Sequence, residues 1–203
     1  VPLLEETGLI YSVGEWGVSQ VIDFRSIILI KDIRVAIDLS ALQCHDLTLL
    51  SYVRRAIGQS DINPSQLEFE ITESLLIKDF DTTKLFLDEL HSIGCAIALD
   101  DFGTGYTSMN YLARLPIDII KIDKTLVHNI DINNNLNSIV KAIVTMSNGL
   151  QINNIFEGVE TMAELAVIKK MGGEIIQGFL FSKPLKSYEA INWLRSGETQ
   201  KHA

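Results

Sequence analysis

Ile97-Ala98-Leu99-Asp100-Asp101-Phe102-Gly103-Thr104-Gly105-Tyr106 is the stretch that decides how this 203-residue chain is read. An apolar run from Cys95 to Leu99 ends in two adjacent carboxylates and a glycine-rich turn. A short apolar run bounded by turn residues predicts a buried strand. Two ionised aspartates at its end repel one another, so a shared proton, a basic partner or a metal ion must offset the charge. Hard divalent cations favour carboxylate oxygens, and one carboxylate can bridge two of them. The plainer alternative makes Asp101 or Thr104 the cap of a following helix. That alternative accounts for one aspartate better than for a pair followed by Gly-Thr-Gly.

Outward from this strand, the hydrophobic period switches back and forth between helix and strand. Residues 3–10 and 13–30 read as helical, with Trp16, Val18, Val21, Ile22 and Ile28 on one apolar face. Residues 34–39 read as a strand, 42–57 as a helix closed by Gly58, and 67–71 as a strand with Glu68 and Glu70 on one face. A helix over 79–93 stops at Gly94 and leads into the central strand. Beyond it come a short helix over 106–115, a strand over 117–122 carrying Lys121, and a helical stretch over 124–150 broken at Asn133-Asn134-Asn135. A strand over 155–160 ends in glutamates, a helix follows over 161–171, and a strand over 175–181 contains Gln177. A last helix covers 188–195, and the polar tail beyond Gly197 is expected to fray.

This alternation argues for a parallel sheet with crossover helices. A doubly wound sheet would carry a Gly-rich phosphate loop after its first strand, and none is found there. The expected fold class is α/β, a TIM-like (β/α)8 barrel in one domain over 1–203. Six strands are counted, so the first two of the eight are expected upstream of Val1. Each strand ends in a polar residue: Asp38, Glu70, Asp100-Asp101, Lys121, Glu157 and Gln177. Barrels carry their chemistry at the C-terminal ends of strands, so these residues are expected to meet at one mouth.

Composition narrows the function classes. The net charge of -9 argues against nonspecific binding to a nucleic acid polymer. Apolar runs are too short to span a bilayer, and no basic flank of a signal peptide opens the chain, so neither membrane contact nor export is expected. Cys44 and Cys95 sit in apolar contexts without zinc-ligand spacing, which fits a reducing cytoplasm. His45, His91, His128 and His202 are scattered and read as surface residues.

Four carboxylate positions and one amide form an oxygen-rich set suited to Mg²⁺, Mn²⁺ or Ca²⁺. Two such ions can bind a phosphodiester, activate a water and stabilise the leaving oxygen. Taken singly, several of these residues have ordinary readings. Lys121 alone reads as a snorkelling strand-end lysine, Glu157 and Glu160 as charges at a helix N-terminus, and Gln177 as a partner of backbone. Glu70 resists such a reading, because a glutamate rarely faces a core without a partner.

Leu67-Glu68-Phe69-Glu70-Ile71-Thr72-Glu73-Ser74, Asp100 through Tyr106, Lys121-Ile122-Asp123, Glu157-Gly158-Val159-Glu160-Thr161 and Gln177-Gly178-Phe179 together resemble the EAL-domain family, in that order. Leu4-Glu5-Glu6-Thr7-Gly8-Leu9-Ile10 resembles the segment that follows the family's signature. The resemblance implies a TIM-like barrel that hydrolyses cyclic di-GMP to pGpG with two Mg²⁺ or Mn²⁺ ions. It implies metal ligation by Asp38, Glu70, Asp100 and Asp101, with Asp100 bridging the ions. Lys121 resembles the lysine that positions the water, and Glu157 and Gln177 resemble the remaining metal- and water-shell groups. Glu73 and Glu160 resemble supporting residues, and the loop over 102–108 resembles a mobile loop linked to a dimer interface. A homodimer and an upstream diguanylate cyclase (GGDEF) or sensor domain are the partners it implies.

The chain also departs from the pattern. The Glu-Ala-Leu signature and its following arginine are not in it, which is read as N-terminal truncation. Asp38 stands where the family usually has asparagine, adding a negative charge. Phe156 stands for a usual alanine, and a narrower mouth is the expectation. Two readings therefore stay open on sequence alone: a hydrolase, or a degenerate domain that serves as a cyclic di-GMP receptor or dimerising module.

Overall fold

A computed structural model of the chain describes residues 2–27, 33–105 and 109–196. Strand and helix alternate among them, and the chain divides into two compact units, Val1–Ile119 and Ile120–Ala203.

In the first unit, α1 (Pro2–Glu6) and α2 (Ile10–Ile27) precede β1 (Val35–Asp38), and α3 (Leu47–Gly58) leads to β2 (Leu67–Thr72). Then α4 (Glu73–Lys78) and α5 (Phe80–Ile93) lead to β3 (Ala96–Phe102), and α6 (Met109–Leu112) follows. β1 pairs with β2 and β2 with β3, both in parallel. Residues 67–71 and 96–99 are all buried, as expected of parallel strands covered on both faces. α3 turns Leu49, Leu50 and Val53 inward, and α5 turns Phe86, Leu87 and Leu90 inward. Each such side chain fully removed from water contributes about 1.5–3 kcal/mol. Aspartates set where these helices start: Asp46 accepts the Thr48 N–H at 2.8 Å and Asp79 accepts the Thr82 N–H at 3.2 Å.

The second unit opens within β4 (Ile119–Ile122) and continues through α7 (Lys124–Val127), α8 (Asn134–Gly149) and β5 (Asn153–Phe156). It closes with α9 (Met162–Lys170), β6 (Ile175–Ile176) and α10 (Ser187–Ser196). β5 and β6 pair in parallel, and the Glu157 N–H donates to the Ile122 carbonyl at 3.0 Å, setting the end of β5 beside β4. Asp123, Asn133 and Thr161 cap the helices that follow them.

Some boundaries differ from the sequence reading, for identifiable reasons. The helix break comes before Ile10, because the Thr7 N–H and hydroxyl both fold back onto the Leu3 carbonyl and close α1. A single 3₁₀ turn at Gln43–His45 precedes α3, since Asp46 caps the helix there. β6 is only two residues long and excludes Gln177. At Gln177 the backbone changes partner: its N–H still donates to the Phe156 carbonyl, but its carbonyl accepts the Val159 N–H, and the Leu180 N–H donates to the Val159 carbonyl. Tyr106, Thr107 and Ser108, the expected start of the helix before Pro116, lie outside the described residues, as do Ile28, Ile30, His202 and the polar tail.

Candidate functional site

The register of the first unit explains how distant carboxylates meet. Asp38 is the parallel partner of Glu70, and Glu70 is the partner of Ala98. Asp100 lies two residues beyond Ala98, so the period of a strand puts it on the same face as Glu70. Asp38, Glu70 and Asp100 each offer an oxygen, and these oxygens lie within 4.8 Å of one another. Glu70 is 8% exposed, while Asp38 is exposed. A buried carboxylate beside two others is costly unless cations neutralise the group. An all-oxygen donor set of this kind fits a hard divalent cation, as the strand-end pattern predicts.

Asp101 is not a member of that trio. Its φ of 54° places it in the left-handed region, where aspartate is among the tolerated residues. Its N–H donates to Asp100 Oδ1 at 2.9 Å, and its carbonyl accepts the Thr104 hydroxyl at 2.9 Å. The segment from Asp101 to Thr104 is thus a tight turn among the described residues. Glu73, 3% exposed, accepts the Gly103 N–H on Oε1 at 3.0 Å. Its Oε2 is buried without a hydrogen-bond partner among the described residues, and a Cβ on Gly105 would collide with that oxygen. Glu73 therefore ties the turn after β3 to the end of β2.

A cavity of about 620 Å³ opens beside the trio. Asp38, Glu70, Asp100 and Asp101 line one side, and Ile10 and Trp16 of α2 line another. Its volume is within the range of small-molecule sites. Gln43, 3% exposed, braces this wall: its Oε1 accepts the Ser40 N–H at 2.9 Å and its Nε2 donates to the Ile10 carbonyl at 3.0 Å. Sequence reasoning passed over Gln43, which sits in an amphipathic stretch and gives no local sign of its reach to α2.

In the second unit, Lys121 Nζ lies 2.9 Å from Glu157 Oε1, with side chains only 6% and 16% exposed. Lys121 is therefore a buried ion-pair partner, and the snorkelling reading does not hold. Glu157 precedes α9 by several residues, so it is not a helix-end charge. Gln177 is exposed and follows β6, with its N–H on the Phe156 carbonyl at 2.9 Å. The Glu160 side chain is exposed. Phe156 is fully buried, and a Cβ on Gly173 would press on its ring. The ring thus packs inside the unit near the start of β6, and the expectation that it narrows the mouth gains no support.

Glu164 was also passed over. It is 2% exposed, and its Oε2 accepts the N–H groups of Glu160 and Thr161, each at 3.0 Å. Its Oε1 accepts the Asn129 N–H at 3.1 Å. Burial pushes its pKa upward, but these backbone bonds outweigh burial and hold the carboxyl below its ordinary range. The Thr-x-x-Glu capping spacing at Thr161 was the available signal.

His45, His91 and His128 are exposed, as expected, and each stands near a carboxylate. Cys44 and Cys95 are buried free thiols, and burial pushes each pKa up to about 12. Among the described residues no helix is long and apolar enough to cross a membrane.

Parallel strands joined by crossover helices, with an oxygen-donor cluster at the strand ends, define the class: a TIM-like (β/α) barrel fold, six of whose strands fall among the described residues. The chain belongs to the EAL domain family, whose family model matches residues 1–184. MucR of Pseudomonas aeruginosa, named a bifunctional diguanylate cyclase/cyclic di-GMP phosphodiesterase, is 36% identical over 194 residues, covering 94% of this chain and 28% of MucR. The cyclic di-GMP phosphodiesterase PdeR of Escherichia coli is 35% identical over 195 residues, covering 94% of this chain and 29% of PdeR. The chain thus spans less than a third of the length of either relative. The solved MucR phosphodiesterase in complex with cyclic di-GMP aligns with a TM-score of 0.86 at 36% identity, over 93% of this chain and 78% of that one. Klebsiella pneumoniae BlrP1 with manganese and cyclic di-GMP aligns with a TM-score of 0.81 at 29% identity, over 87% of this chain and 45% of that one.

Proposed function

We propose that this domain hydrolyses cyclic di-GMP to pGpG with two divalent cations, Mg²⁺ or Mn²⁺. The observation that carries the reading is the meeting of Asp38, Glu70 and Asp100 oxygens at three adjacent strand ends. The relatives named cyclic di-GMP phosphodiesterases, and the neighbours solved with that ligand and with manganese, support it.

Asp38, Glu70 and Asp100 would hold cations, with Asp101 adding a further oxygen beside them. Bound there, a divalent cation supplies positive charge that draws in an anionic phosphodiester and makes a water more acidic. The water oxygen attacks phosphorus, one P–O3′ bond breaks, and the leaving oxygen takes up a proton. Lys121 offers a point charge and N–H donors to the water or a phosphate oxygen. Glu157 pairs with that lysine and aims it, and Gln177 adds a neutral amide that can donate to the same groups. Glu73, at the start of α4, holds the turn after β3, and Glu160 belongs to the segment between β5 and α9. The setting that goes with this reading is a homodimer in the cytoplasm, with a cyclase (GGDEF) or sensor domain upstream.

Incubation of the purified full-length protein with Mn²⁺ and cyclic di-GMP, followed by chromatography, tests the reading. Accumulation of pGpG, abolished by EDTA and by Glu70→Gln, is the expected result. Tight binding of cyclic di-GMP without any pGpG would overturn hydrolysis in favour of a receptor.

A further inference from the structure

We propose that Glu164 is a positioning residue that holds the Lys121–Glu157 pair in working geometry; the proposal rests on the hydrolase reading above. Lys121 and Glu157 come from neighbouring strands, and each is followed at once by a loop. After Lys121 the chain runs through Asp123, the cap of α7, to Asn129. After Glu157 it turns at Gly158, with a φ of 67° and no room for a Cβ against the Lys124 side chain, and reaches Glu160 and Thr161. The two loops are therefore packed directly against each other, and one carboxylate stitches them together.

Helix capping explains only half of what Glu164 does. The capping box requires its Oε2 on the Thr161 N–H and its N–H on the Thr161 hydroxyl at 3.1 Å. It does not require Oε1 to reach the Asn129 N–H, 35 residues away in sequence, nor the side chain to be 2% exposed. Asn129 has a φ of 62°, in the left-handed region that asparagine tolerates better than most residues, and its N–H is aimed at the Glu164 carboxylate. His128 Nδ1, 3.3 Å from Glu164 Oε1, sits on the same side. The buried carboxylate thus accepts from both loops at once. Loss of the Asn129 bond frees the segment after Lys121 to shift against the segment after Glu157, and a catalytic pair tolerates little such displacement.

Two variants separate the clamp from the cap. Glu164→Gln can keep its oxygen toward Glu160 and Thr161, but then sets an NH₂ against the Asn129 N–H. Thr161→Ala removes the cap hydroxyl and leaves all three bonds to the carboxylate. In the full-length protein, Glu164→Gln is expected to lower kcat by about ten-fold or more with KM for cyclic di-GMP unchanged. Amide hydrogen exchange over 126–131 and 157–161 is expected to quicken in parallel. Thr161→Ala is expected to lower thermal stability while leaving kcat and exchange over 126–131 as they were. Wild-type kcat in Glu164→Gln, or equal kcat losses in both variants, overturns the proposal. An inactive wild-type protein would instead defeat the hydrolase reading. Hydrogen exchange then still decides the clamp, since unchanged exchange over 126–131 in Glu164→Gln overturns it.

Discussion

Asp38→Asn probes the carboxylate trio with opposite signs in the absence and presence of metal. The oxygens of Asp38, Glu70 and Asp100 lie within 4.8 Å of one another, and Asp38 is exposed. At 4.8 Å in water-like surroundings, each pair of unit charges repels by about 0.9 kcal/mol. Asparagine keeps the shape and an acceptor oxygen but removes two such pairs, about 2 kcal/mol unscreened and about 1 kcal/mol in physiological salt. A domain of this size moves its Tm by about 2–4 °C per kcal/mol, so in EDTA the variant should melt about 2–4 °C higher. With metal the order reverses. A cation at a hundred times its Kd adds about 2.7 kcal/mol, or about 5–10 °C. The variant presents one charge fewer to a dication and needs more Mn²⁺ to reach that gain. Melting curves with EDTA and across a Mn²⁺ titration measure both effects, and Trp16 on the cavity wall supplies an independent fluorescence signal. Turnover at saturating Mn²⁺ should rise, because the phosphodiester meets one negative charge fewer. A lower Tm in EDTA together with an unshifted Mn²⁺ midpoint would refute the reasoning, since the three oxygens would then neither repel nor share an ion.

Lys121→Met removes the cation 2.9 Å from Glu157 Oε1, and breaking so buried a pair should cost about 3 kcal/mol in urea unfolding. It should also lower kcat by about a hundred-fold or more; an unchanged urea midpoint would show that the pair is not structural. Glu164 has a folded pKa below its ordinary 4.5, so its contribution to stability is complete above that value and is lost as the pH falls through the folded pKa. Urea midpoints should therefore fall on acidification below 4.5, and Glu164→Gln should flatten part of that fall. Cys44 and Cys95, with pKa values pushed up to about 12, should resist a thiol-specific disulfide reagent in the native protein and both react in denaturant. Labelling of the native protein at neutral pH would contradict their burial.

Much of the trio was legible because it depends on local pattern. Asp38 and Asp100 each follow a short apolar run and Glu70 lies near the end of an alternating one, and a parallel register turns such positions into neighbours without any further information. The rest depends on contacts that no local pattern encodes. The stretch from Ile175 to Phe181 reads as one strand, yet the backbone passes from Phe156 to Val159 at Gln177, and side-chain periodicity is blind to a change of hydrogen-bond partner. Lys121 looks like any strand-end lysine until Glu157 is found beside it. Glu164 announces a helix start through its spacing from Thr161, but its bond to Asn129 has no sequence sign at all.

Two buried glutamates show how these units handle loops that follow strands, and they do it unequally. Glu164 is saturated: three backbone N–H groups converge on its two oxygens, and a fourth bond returns from its own N–H to Thr161. Glu73 holds the turn after β3 by one bond to the Gly103 N–H, and its other oxygen is buried without a hydrogen-bond partner among the described residues. The turn after β3 is thus tied to Glu73 by one hydrogen bond among the described residues, whereas the segments that Glu164 joins are tied to it by three. Displacing the segments after Lys121 and Glu157 therefore breaks more bonds to a buried carboxylate than displacing the turn after β3 does.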